Sequence, residues 1–180
     1  MSIDPDEILG SVWDDLIQAA EDRRHAYRRL VLATSSKSGI RQRIVILRKV
    51  IRHQGLVCYT DSRSQKMKDI ETDDGVHALL YDDTQKIQLS CTGSVEPYED
   101  PSVQLSSQES AWYKDYTTKL SPGTPIELHQ EVEYDKSQVH FSSFIIQVTT
   151  IEFLRLSRDA HVRLLFSKSG DDWTAQRLVP

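Results

Sequence analysis

The spacing of hydrophobic positions along the chain changes once. Up to residue 20 they recur at helical intervals, with Ile8, Leu9, Val12, Trp13, Leu16, Ile17 and Ala20 on one stripe. Asp4 is placed to cap that helix and Pro5 to begin it. Asp6 and Glu7 follow in the first turn, where acids suit the positive helix end. From residue 29 the period becomes that of strands. RLVLAT (29–34), RQRIVILRKV (41–50), GLVCYT (55–60), VHALLY (76–81), KIQLSCTGSV (86–95), SFIIQVTTIEFLRL (143–156), HVRLLFS (161–167) and WTAQRLV (173–179) are short and rich in Val, Ile, Leu and Tyr. SKSGDDW (167–173) reads as the hairpin turn joining the last two. Asp100 and Pro101 repeat the cap-plus-proline signal and predict a second helical piece to about Tyr116. LSPGTPIE (120–127) and VEYDKSQ (132–138) read as loops. Eight strands with few helices between them predict a mainly β fold, an antiparallel barrel with flanking helices.

Length adds one expectation: 180 residues suit a single domain, 1–180, that buries its core without a disulfide or metal. The two cysteines, Cys58 and Cys91, fall inside strand patterns and are expected as free, buried thiols of a reducing cytoplasm. No apolar run approaches the ~20 residues that span a bilayer, so no membrane partner is expected. The acidic start MSIDPDEILG lacks the basic and apolar regions of a signal peptide.

Charge sharpens the picture. The net charge is −5, which argues against nucleic acid as a partner. Yet between Arg41 and Lys68 the chain has eight bases (Arg41, Arg43, Arg48, Lys49, Arg52, Arg63, Lys66, Lys68) against one acid, Asp61. The remaining residues hold 14 of the 22 bases and 26 of the 27 acids. One cationic segment in an acidic protein suits a small anionic ligand.

Within that segment, YTDSRSQKMKDIE (59–71) reads as a strand end, a turn capped by Asp61 or Ser62, and a helix start whose charges are reversed. Arg63 and Lys66 occupy its first turn, and the acids Asp69 and Glu71 come later. Exposed N–H groups at a helix start beside a cation make a phosphate site, with Ser64, Tyr59 and Thr60 as further donors. The plain alternative is a solvated, lysine-rich face. In RQRIVILRKV, Arg43 and Arg48 bracket four apolar residues and stand ~16 Å apart along a strand, the reach of an extended mononucleotide with a tricyclic ring. Their odd separation puts them on opposite faces of a regular strand, so a bulge or backbone contact is needed to bring both to one ligand. Several chemistries lack their motifs: there is no G-x-G-x-x-G, P-loop, G-x-S-x-G or paired metal spacing among the six histidines. Redox chemistry here would belong to a bound cofactor.

RIVILRKVIRHQGLVCYTDSRSQKMKDIE followed by ALLYDDTQKIQLSCTGSV resembles the FMN-binding core of the pyridoxamine 5′-phosphate oxidase superfamily. That family shows R-x-V-x-L-[KR], a hairpin, Y-T, a [RQ]-K pair and a later Gln before a strand ending in Gly. IEFLRLSRDAHVR and the terminal WTAQRLVP resemble its closing segments. The resemblance implies an FMN-binding split β-barrel, a homodimer with flavins at the subunit interface, and oxidoreductase activity on a small substrate. It implies that Arg43 and Lys66 hold the FMN phosphate with Ser64 and Gln65, and that Ile44, Val45 and Ile46 line the flavin with backbone groups. Arg48 would stand near the pyrimidine end of the ring. Tyr59 and Thr60 match the family's Y-T pair, Gln88 its glutamine and Arg163 the arginine of its H-x-R segment. The plain alternatives are an outward polar residue for Gln88 and surface solvation for Arg163. The substrate half departs from the true oxidases. Their R-P-x-x-S-Q-I-G-A-W stretch has no counterpart in SSQESAWYKDYTTKLSPGTPIELHQ, Asp159 stands where a phosphate-gripping arginine is expected, and Leu154 replaces a flavin-stacking Trp. An acid there repels a phosphorylated substrate. His161 is expected to be structural, with an acid–base group near the flavin as the alternative; Trp112, Tyr113 and Tyr116 are expected to pack, with one of the two tyrosines lining the site as the alternative.

Overall fold

Alternating burial sets the architecture. Along β4 (Gly75–Asp82) the side chains alternate strictly between exposed and buried, and β5 (Ile87–Pro97) buries every second residue from Ile87 to Val95. Each strand therefore presents one apolar face, and closing the sheet on itself buries all of them together. The computed structural model describes residues 4–100, 103, 113–158 and 160–180. Within these, β1 (Arg29–Ser36), β2 (Gly39–Ile51), β3 (Gly55–Asp61), β4, β5, β6 (Phe141–Arg155), β7 (Val162–Ser169) and β8 (Asp172–Leu178) form one antiparallel sheet. All eight strands expected from the sequence are present. Their order is β3-β2-β1-β4-β5-β6-β7-β8, and an extra β3–β6 pairing closes the first six into a barrel.

The closure depends on β6. Its residues 141–147 pair with β3, and residues 150–155 pair with β7. The barrel splits where β3 begins, at Gly55 opposite Gln147, and the β7–β8 hairpin takes over from Thr150 onward. Two glycines let backbones approach closely at this point. A Cβ on Gly93, at the register shift between Thr92 and Gly93, would collide with the Gln147 carbonyl oxygen, and one on Gly55 with that of Ile146.

The interior holds Leu30, Leu32, Leu47, Leu56, Leu89, Phe144 and Ile146, all fully buried, with the free thiols Cys58 and Cys91 among them. Burial pushes both thiols up to about 12, so they stay protonated and inert. Helix α1 (Pro5–Glu21) begins as expected: the Asp4 side chain accepts from the N–H groups of Asp6 and Glu7, and Pro5 opens the first turn. Its buried stripe of Leu9, Val12, Trp13, Leu16 and Ala19 packs on the barrel. The Trp13 ring stands edge-on to His53 at 5.6 Å and to Trp173 at 6.0 Å. Burying Trp13 and Leu16 contributes about 1.5–3 kcal/mol each before entropy is counted. The last turn of α1 has no base of its own, but Arg28 donates from outside it to the carbonyls of Ala19 and Ala20.

The second expected helical piece lies mostly outside the described residues, which show a short 3₁₀ turn over Tyr113–Tyr116. Tyr116 is buried, edge-on to Phe141 at 5.2 Å, the packing role expected of it; Phe141 in turn meets Tyr59 at 5.1 Å. Among the described residues no helix is long and apolar enough to cross a membrane.

Candidate functional site

The site begins with a ladder that stops early. β2 and β3 pair from Ile51–Gly55 to Leu47–Cys58, and the pairs that would continue the register (Ile46–Tyr59, Val45–Thr60 and Ile44–Asp61) are not formed. β3 continues instead along β6, while β2 continues along β1. Residues 44–46 of β2 and 59–61 of β3 thus border a gap in the barrel wall. Val45 points into the core, whereas Ile44 is 64% exposed.

At the closed end of the gap the register shifts between Leu47 and Lys49, making Arg48 the extra residue of a β-bulge. This is the irregularity that the odd Arg43–Arg48 spacing required. The Arg48 guanidinium lies over the Tyr59 ring at 5.4 Å, and its buried Nε has no hydrogen-bond partner among the described residues. Tyr59 OH donates to Asp100 Oδ2 at 2.7 Å, and Lys49 pairs with the same carboxylate at 3.7 Å.

At the open end stands helix α2 (Gln65–Thr72). Its N-cap is Ser64 and not Asp61 or Ser62, because the Asp61 carboxylate turns back to accept from the Arg63 N–H at 2.8 Å. Ser64 makes no side-chain capping bond, leaving the first-turn N–H groups without a side-chain acceptor. Its hydroxyl meets Thr60 Oγ1 at 3.1 Å, and Lys66 Nζ reaches Thr60 Oγ1 at 2.8 Å and Ser64 Oγ at 3.2 Å. Thr60 and Ser64 are buried, so this ammonium is held by two hydroxyls; among the described residues it has no acid partner within ion-pair distance. Burial, followed by the nearby Arg43 charge, lowers the Lys66 amine below its ordinary value.

One of the reversed charges proves to be structural. Arg63 pairs with Asp61 at 2.7 Å and donates to the Thr118 and Lys119 carbonyls at 2.9 and 3.2 Å, tying the 117–135 loop to the helix start. Lys68 is exposed. Arg43 reaches the site region by a different route, donating to Thr34 Oγ1 at 2.7 Å and to Asp69 Oδ2 at 3.3 Å. The Gln65 amide donates to Asp69 Oδ1 at 3.1 Å, so Gln65 offers the site its backbone.

The structure therefore brings together Arg43, Ile44, Val45, Ile46, Arg48, Tyr59, Thr60, Ser64, Gln65 and Lys66. It does not bring Gln88 or Arg163 to them. Gln88 sits on β5, opposite Tyr81 and Leu154, three interstrand steps or about 14 Å from β2. Arg163, on β7 opposite Leu154, is paired with Glu152 at 2.8 Å and is not merely solvated. His161 Nδ1 accepts from the Ser157 N–H at 3.2 Å, a loop-fixing bond; Trp112 and Asp159 lie outside the described residues. Sequence reading missed Thr34 and Asp69 as partners of Arg43, and took Asp100 for a helix cap without foreseeing that it anchors Tyr59. The signal for Asp69 was its spacing, three and four residues after Lys66 and Gln65 on one helix.

Against known proteins, residues 10–98 match the family model for the pyridoxamine 5′-phosphate oxidase FMN-binding domain. The chain is 26% identical to the pyridoxine/pyridoxamine 5′-phosphate oxidase of Escherichia fergusonii over 180 residues, covering 92% of this chain and 83% of that one. To its counterpart in Aeromonas hydrophila it is 25% identical over 191 residues, covering 98% and 90%. Among solved structures, a pyridoxamine 5′-phosphate oxidase-related FMN-binding protein from Nostoc punctiforme shares the fold over the whole of both chains, with a TM-score of 0.74 at 18% identity. PhzG from Burkholderia lata, solved with tetrahydrophenazine-1-carboxylic acid, shares it at a TM-score of 0.68 and 20% identity, covering 98% of this chain and 95% of that one.

Proposed function

The chain belongs to the pyridoxamine 5′-phosphate oxidase-like FMN-binding split-barrel family, with FMN as its cofactor, and from that premise we propose that it is a flavin-dependent oxidoreductase acting on a small organic substrate. The observation that carries this reading is the gap beyond Leu47–Cys58. It has a donor set for a phosphate at one end and an aromatic-backed guanidinium at the other. The residues present fit FMN. The open end offers an ammonium, two hydroxyls and an uncapped helix start, all donors, and the buried Arg48 Nε is a donor in want of an acceptor.

In this reading Lys66, Thr60, Ser64, the first turn at Gln65 and the Arg43 guanidinium hold the phosphate. Ile44, Val45 and Ile46 offer the open strand edge to the ring. Tyr59 supports Arg48, whose positive charge favours negative charge gathering at the pyrimidine edge. Bound FMN supplies two-electron chemistry that no side chain here provides.

Gln88 and Arg163 join the same ligand only if a second copy brings them, which supports a homodimer. Its contact face is the outer surface of β2-β1-β4. Ile44, Val31 and Leu79 stand in one cross-strand row there, and Leu79 and Tyr81 are 40% and 45% exposed.

The test is to reconstitute the chain with FMN and ask whether the flavin is reduced by a donor and reoxidised in air. A bound flavin that nothing cycles would reject turnover and leave a flavin-binding protein. Pyridoxamine 5′-phosphate oxidation is the second reading, favoured by the relatives of that name. The absent substrate-phosphate stretch weighs against it, and rapid turnover of pyridoxamine 5′-phosphate would reinstate it.

A further inference from the structure

A buried carboxylate beside a proposed phosphate site is electrostatically out of place, since it repels the ligand. Asp69 is such a group. Its side chain is 3% exposed, yet it lies one helical turn from Lys66 on α2. Its carboxylate's partners among the described residues are all donors: Arg41 Nη1 at 2.7 Å, Arg43 Nη2 at 3.3 Å, Thr34 Oγ1 at 3.0 Å and Gln65 Nε2 at 3.1 Å. These come from β1, β2 and α2, so one carboxylate ties together the three elements around the open end. Burial pushes its titration up, but the bonds from Gln65 and Thr34 and the Arg41 charge outweigh it, holding Asp69 below its ordinary value and ionised.

The consequence is directional. Thr34 Oγ1 both accepts from Arg43 and donates to Asp69, so the Arg43 guanidinium is braced at two points. α2, which carries Lys66, is fixed against the same brace. Arg41, Arg43 and Lys66 with Asp69 leave a net local charge of about +2, enough to attract a phosphate.

We propose that Asp69 is a positioning residue for phosphate recognition: it sets the Arg43 guanidinium and the Lys66-bearing helix in place before the ligand arrives. Removing its charge therefore weakens phosphate binding, although the local charge becomes more positive. This rests on the FMN reading above and deepens it.

The test compares FMN with riboflavin, which lacks the phosphate, by flavin-fluorescence titration of the full chain. In Asp69→Asn the FMN affinity is expected to fall about tenfold while riboflavin affinity stays unchanged. Thr34→Val, which removes the shared hydroxyl and keeps the shape, is expected to lose FMN affinity in the same sense by a smaller factor; it carries the test if Asp69→Asn does not fold. Melting temperatures of both without flavin identify the folded protein. Unchanged or tighter FMN binding in the folded variants overturns the proposal, as does an equal loss for riboflavin. A parent chain that prefers FMN while the variants keep that preference sinks this inference alone. A parent that binds neither flavin sinks the FMN reading with it.

Discussion

Lys66 is the side chain on which pH acts most directly. Its amine is lowered by burial and by Arg43, so in the free protein it gives up its proton below the ordinary lysine value of about 10.4. The sign follows from linkage. While the amine is charged in both folded and unfolded states, its burial costs stability in full, and that cost is relieved as pH rises through the lowered value. A bound phosphate favours the charged amine, so binding takes up a proton in that window and FMN affinity falls as pH rises through it. On the acid side a phosphate monoester loses its second charge near pH 6, so affinity falls there too. A titration from pH 5 to 10 is expected to give a bell, and Lys66→Arg, whose guanidinium does not titrate, to keep the acid limb and flatten the alkaline one. An alkaline limb that survives in Lys66→Arg would remove Lys66 from the phosphate. Asp69 behaves oppositely: its contribution to stability is present above the ordinary carboxylate value and lost as pH falls through its lowered one.

At the scale of elements, the split of the barrel depends on two backbone crossings. Gly93→Ala drives a methyl into the Gln147 carbonyl at the β5–β6 register shift, and is expected to cost about 1–3 kcal/mol or more of stability by chemical denaturation. An alanine at 93 that costs nothing would mean the shift is not needed. These elements were legible in the sequence because their signals are local. The α1 stripe, its Asp4 cap and the period-two runs of β1–β8 each lie within a few residues. The bulge at Arg48 was legible only as a requirement, from the odd spacing of two cations. Of the brace of Thr34, Arg43 and Asp69, only the spacing of Asp69 from Gln65 and Lys66 on α2 was legible. Its bonds to Asp69 span 26 and 35 positions, and an Asp on a polar helix gives no sign of which strand it faces. The cap at Ser64 was missed for a related reason: Asp61 is the better capping residue by type, but it is engaged by Arg63.

For the whole molecule, the proposed site calls for two copies, because Gln88 on β5 and Arg163 on β7 each stand three interstrand steps from β2 within one chain. Light scattering is expected to give twice the chain mass of 20.7 kDa, and Val31→Asp with Leu79→Asp to give a folded monomer that has lost FMN. A monomeric parent that binds FMN fully would refute the shared site. The cationic strand–turn–helix is the part on which all else depends, and its measurement is the FMN dissociation constant of the parent beside that of Arg43→Ala/Lys66→Ala. The double variant is expected to bind at least about a hundredfold more weakly, with riboflavin affected far less. Equal FMN affinity in the two proteins would contradict the account.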